Sequence, residues 1–159
     1  MWRPASAVAL AFFVAACAPR PVTVERARTP SVIVVPTELP NGRIEIALQP
    51  TYPLSGLTRI DVEIAATRGT IVGPTEARVT ASGINERGAP AEVLVRRLGV
   101  STVTATAGRR ATTSVTWDGR DGYGVRVPAD AYVLLLEFES QDGASTWTVR
   151  ATATLQMND

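Results

Sequence analysis

From Val32 to the C terminus the apolar residues recur at every second position, and this period decides the fold class. In TRIDVEIAA, Ile60, Val62 and Ile64 alternate with Arg59, Asp61 and Glu63. RIEIALQ sets Ile44, Ile46 and Leu48 on one side, and ARVTAS sets Ala77, Val79 and Ala81 against Arg78, Thr80 and Ser82. TTSVTW offers Thr113, Val115 and Trp117 to an inner face. STWTVRATATLQM places Trp147, Val149, Ala151, Ala153 and Leu155 opposite Thr146, Thr148, Arg150, Thr152 and Thr154. Side chains alternate across a strand, whereas a helix needs apolar spacings of three and four, and no such run appears after Val32. Turn chemistry separates the runs: LPNG, YPLSG, TRGT, VGPTE, SGINERGAP, AGRR and QDG. Short alternating strands at this spacing predict one all-β domain over residues 32–159, an antiparallel β-sandwich of about 7–9 strands.

The first seventeen residues, MWRPASAVALAFFVAAC, follow a different rule. Arg3 precedes an uncharged stretch from Ala5 to Ala16, shorter than the roughly 20 residues a spanning helix needs and suited to the apolar core of a signal peptide. Val14, Ala15, Ala16 and Cys17 resemble the bacterial lipobox. That resemblance implies cleavage of residues 1–16 and a Cys17 that carries lipid on its thiol and its new amino group. An ordinary secretory signal with a buried cysteine is the alternative. Cys17 is the chain's one cysteine, so it has no intramolecular disulfide partner. Ala18 follows it where aspartate would resemble an inner-membrane retention signal, so the resemblance points to the outer membrane. Residues 17–31 then form a tether, rich in proline (Pro19, Pro21, Pro30) and free of hydrophobic period. In extended form it reaches up to roughly 40 Å at about 3.1 Å per residue.

One further stretch carries a pattern. Val95, Arg96 and Leu98 precede the run WDGRDGYGVRVPADAY, which supplies Trp117, Asp118, Gly119, Asp121, Gly124, Val127, Pro128 and Tyr132. This pattern resembles the immunoglobulin-like domain of flagellar hook-capping proteins. It departs from it at Asp130, where that family usually has glycine. The resemblance covers roughly residues 93–140. It implies that the domain 32–159 is an Ig-like β-sandwich, and does not imply a role in flagellar assembly.

The two aspartates of that run invite a metal reading, and the residues argue against it. A calcium loop needs several closely spaced oxygen ligands, whereas DGRDGYG offers two carboxylates with Arg120 between them. Asp118, Gly119, Asp121 and Gly124 are therefore expected to form a structural turn, with carboxylates on turn amides and glycines at positive φ. In that expectation Trp117 ends one core strand and Tyr132 opens its partner. No metal and no cofactor are expected.

Catalysis is expected to be absent. The chain has no histidine, the commonest general acid or base near neutral pH, and its thiol is expected to be acylated. Glu137 and Glu139 share one strand face and are read as a solvated edge. With Arg3 removed the basic and acidic residues balance, and no basic patch suggests nucleic acid. Function is expected to be non-enzymatic: a lipoprotein anchored in the bilayer through Cys17, presenting an Ig-like module to an envelope protein partner. Arg87 on an exposed loop, Arg96 and Arg97 on the next strand, and the aromatics Tyr52 and Tyr123 are the candidate contacts. A carbohydrate- or peptidoglycan-binding module is the alternative, because exposed Tyr52 and Tyr123 would stack on sugar rings.

Overall fold

A computed structural model of the chain describes residues 31–32, 36–48 and 58–157. The lipobox segment with Cys17, the tether up to Pro30, and the loop with Tyr52 lie outside the described residues. The described strands are β1 (Ser31–Val32), β2 (Thr37–Leu39), β3 (Gly42–Leu48), β4 (Thr58–Ala66) and β5 (Thr70–Ile84). They continue with β6 (Pro90–Leu98), β7 (Val103–Thr106), β8 (Ala111–Trp117), β9 (Ala131–Asp142) and β10 (Ser145–Gln156). All pairings are antiparallel. One sheet has the order β1-β10-β9-β5-β6, with β7 also paired to β5, and the other has the order β2-β3-β4-β8. Setting aside the short β1, β2 and β7, the first, second and fifth core strands face the seventh, sixth, third and fourth. This is the Greek-key order of immunoglobulin-like sandwiches.

The core lies between the sheets and is filled by the alternating sets. Ile44, Ile46, Ile60, Val62, Ile64, Val115 and Trp117 come from one sheet. Ile71, Val79, Tyr132, Leu134, Leu136, Phe138, Ala151 and Leu155 meet them from the other. Each fully buried aliphatic or aromatic side chain stabilises the fold by about 1.5–3 kcal/mol, so this interleaving is the main force holding the sheets together.

Two expectations from sequence are corrected here. VGPTE is not a turn: it lies inside β5, where the register with β9 shifts between Val72 and Glu76. Gly73, at φ 154°, leaves room that a Cβ would lack, since that atom would stand 2.5 Å from the Phe138 ring. Glycine and proline thus mark a strand irregularity under tertiary packing. Glu137 and Glu139 do not lie at an edge either. Strand β9 is central in its sheet, so they sit on its outer face, where Glu137 pairs with Arg150 at 2.9 Å.

One buried polar contact ties the two sheets. Asn41, in the β2–β3 turn, is fully buried, as is Ser140 on β9 of the opposite sheet. The Ser140 hydroxyl donates to Asn41 Oδ1 at 2.9 Å, and Asn41 Nδ2 donates to the Gln141 carbonyl at 3.4 Å. Asn41→Ala leaves the Ser140 hydroxyl buried without that acceptor and is expected to cost about 1–3 kcal/mol. Urea unfolding measures it. A double-mutant cycle with Ser140→Ala is expected to show strong non-additivity; additive losses would mean that the two side chains do not interact.

Candidate functional site

The loop 118–130 leaves β8 in one sheet and enters β9 in the other. It is therefore a crossing between sheets, and Trp117 and Tyr132 do not sit on paired strands. They meet across the core instead: their rings lie 5.6 Å apart at 64°, edge to face, a favoured aromatic geometry. The indole Nε1 donates to the Arg120 carbonyl at 2.9 Å. The Tyr132 hydroxyl donates to the Pro128 carbonyl at 2.9 Å, four residues upstream. This bond matches the tyrosine corner of immunoglobulin-like folds, and the sequence signal for it was a tyrosine just after Val-Pro.

Both aspartates are engaged by the chain itself. Asp118 Oδ1 accepts the Arg120 amide at 3.0 Å, and both its oxygens accept Arg96 Nη1, at 3.0 and 3.1 Å. Asp121 Oδ1 accepts the Tyr123 and Val125 amides at 2.9 and 2.8 Å. Gly119 and Gly124 stand at φ 68° and 82°, a region that disfavours side chains. Among the described residues no group of three or more His, Cys, Asp or Glu gathers as a metal-binding set. Asp118→Ala is expected to lower stability by about 0.5–2 kcal/mol, as lost amide-capping side chains do. Calorimetric titration with calcium is expected to show no heat of binding for either protein.

The rigid loop has a consequence for the surface. Among the described residues, the large hydrophobic side chains left exposed are Ile84, Val93, Leu94, Tyr123 and Val125. All five belong to the β5–β6 ribbon or to the loop that packs beside it, where the Gly122 amide donates to the Val95 carbonyl at 2.9 Å. Tyr123 is 94% exposed and Ile84 74%, although the loop under Tyr123 is fixed by four side-chain and main-chain bonds to Asp121. A groove of about 570 Å³ runs between β6 and the loop, with Leu94, Val95, Tyr123, Val125 and Pro128 among its walls. The ribbon also overhangs its sheet. The register of β5 with β9 ends at Ala81–Tyr132, while β5 continues to Ile84 beside β6 alone. At the turn, Asn85 Oδ1 accepts the Arg87 and Ala89 amides at 2.9 and 3.0 Å, leaving the Arg87 side chain in solvent.

The candidate residues therefore separate. Tyr123 and Arg97 both line the groove, and Arg87 lies at the tip of the overhanging ribbon. Arg96 is different: it is half-buried and bonded to Asp118 and to the Asp121 carbonyl, so it holds the loop and is not a free contact. Tyr52 belongs to a loop outside the described residues. Ile84, Val93, Leu94 and Val125 were not singled out from sequence, because each fits an ordinary strand or loop pattern.

A second hollow, about 620 Å³, lies on the outer face of the other sheet among Glu45, Arg59, Asp61 and Glu63. Its charges pair locally, with Arg59–Asp61 at 2.9 Å and Arg110–Glu63 at 2.7 Å, as on a solvated sheet face. A scan against protein-family models finds none that matches this chain, and a search of curated proteins finds no match.

Proposed function

We propose that the protein is a non-enzymatic lipoprotein of the cell envelope whose sandwich presents one apolar contact surface to a protein partner. The observation that carries the proposal is the gathering of Ile84, Val93, Leu94, Tyr123 and Val125 on one side of the domain. Soluble domains seldom leave such residues together unless something covers them. A rigidly held aromatic is also the side chain from which interfaces draw most binding energy.

The placement suits an anchored module. Ser31 pairs with Gln156, and Gln156 pairs with Ala131, the first residue after loop 118–130. The chain that leads back to Cys17 thus departs from the end of the sandwich that carries this loop and the overhanging ribbon. A tether of that length reaches at most roughly 40 Å when extended, so an anchored domain meets membrane-associated partners first.

The test places a photo-crosslinking amino acid at Tyr123, at Leu94 and, as control, at Ala144 in the β9–β10 turn of the opposite end. In intact cells, discrete crosslinked species are expected from positions 123 and 94 and none from 144. Equal labelling at 144, or none anywhere, overturns the proposal. The exposure of Tyr123 also favours a second reading, stacking on a glycan. Saturable binding to purified peptidoglycan that disappears in Tyr123→Ser would establish that reading in place of the first.

A further inference from the structure

We infer that the open edge of β6 between Ala91 and Leu94 takes up an extended segment of the partner as an added strand, and that this segment alternates apolar with acidic side chains. The inference rests on the proposed role of the apolar surface and specifies its occupant. Strand β6 pairs with β5 on one side only and ends its sheet. A strand with one neighbour leaves a row of amides and carbonyls unpaired, which templates another strand.

Natural edges are protected by shortness, charge, proline or covering loops. On β6 the covering is local. The loop bond from Gly122 lands at Val95, beside the register shift opposite Val79 and Thr80. Pro90 blunts the first position, and Glu92 is the one charge over the following four residues. Val93 and Leu94 remain about half exposed, at 47% and 50%. A strand laid along Ala91–Leu94 runs directly into the groove, where Tyr123 and Val125 meet its apolar side chains.

The charge preference comes from two arginines that line the same groove. Among the described residues Arg126 has no carboxylate within ion-pair distance. Arg97, with its side chain 73% exposed, reaches Glu76 only at 3.9 Å. Carboxylates on the incoming segment complete both, whereas lysines or arginines there meet like charge. A second copy of this chain fits less well, because its β6 offers one carboxylate, Glu92, to the two groove arginines Arg97 and Arg126.

The test pans a random dodecapeptide display library on the full chain purified in detergent. Enriched peptides are expected to alternate Asp or Glu with Val, Ile, Leu or Tyr, and to be lost when Tyr123→Ser or Arg126→Glu is the target. A synthetic copy of the leading peptide is expected to slow amide exchange at Ala91–Leu94. N-methylation of a single amide on the edge that faces β6 is expected to weaken binding about tenfold, the effect of one lost hydrogen bond, with no effect on the other edge. Lysine-rich, proline-rich or helix-patterned enrichment overturns the inference, as does failure to enrich any peptide. Binding at Tyr123 without slowed exchange on β6 overturns strand addition but leaves the contact surface standing. Binding unaffected by either variant counts against both. A chain that sediments as a dimer with these amides already protected assigns the edge to a second copy and overturns the inference.

Discussion

Trp117→Ala is expected to destabilise the domain by about 3–5 kcal/mol, the usual loss for deleting a buried large aromatic. The indole is 1% exposed at the end of β8. It packs edge-to-face on Tyr132 and donates to the Arg120 carbonyl, so the substitution opens a cavity and releases the crossing loop together. Since domains of this size are stable by about 5–15 kcal/mol, the variant is expected to populate unfolded chain at physiological temperature. Chemical denaturation measures the effect as a lower midpoint at unchanged slope. Trp147, only partly buried against the core, is the internal control and is expected to lose clearly less when changed to alanine. Equal losses at the two positions would mean that the crossing loop contributes nothing to the effect at Trp117.

Cys17→Ser is expected to move the protein from the membrane fraction to the soluble fraction nearly completely. Each buried methylene contributes about 0.8 kcal/mol of membrane affinity, and one acyl chain alone binds only marginally. The proposed anchor carries several chains, and serine at this position carries none. Fractionation after labelling with radioactive palmitate reads both consequences. Label that persists in the serine variant refutes lipidation at Cys17. A labelled wild-type chain that still washes off the membrane refutes anchoring through it. The sandwich itself is expected to keep its unfolding midpoint in this variant, because its core is filled by residues between Ile44 and Met157.

The strands were legible in sequence wherever one face is core and the other solvent. Ile60, Val62 and Ile64 are all fully buried, as their alternation with Arg59, Asp61 and Glu63 requires. The reading failed where local chemistry serves a distant contact. Gly73 and Pro74 look like a turn because those residues commonly make one, yet the room that Gly73 provides is occupied by the Phe138 ring, 65 positions along the chain. Arg96 looks like a surface charge, and strand period alone does not place it. Its register opposite Val79 sets it on the inner side, and the Asp118 carboxylate receives it there. The run from Trp117 to Tyr132 was recognisable as a domain signature, but its role as a bridge between sheets was not, since strand pairing is not written in a loop.

By itself the sequence determined that residues 32–159 form an all-β domain, where its turns fall in most cases, and which side of several strands faces the core. Side-chain period and turn chemistry are local properties, carried by neighbouring residues. Only the tertiary structure decided that five apolar side chains from separate segments share one surface, and that β6 is left without a second neighbour. It also decided that Ser31, paired with Gln156, stands at the end of the sandwich carrying them. Each of these depends on which strands pair and in what register, and that is fixed by packing between residues far apart in the chain.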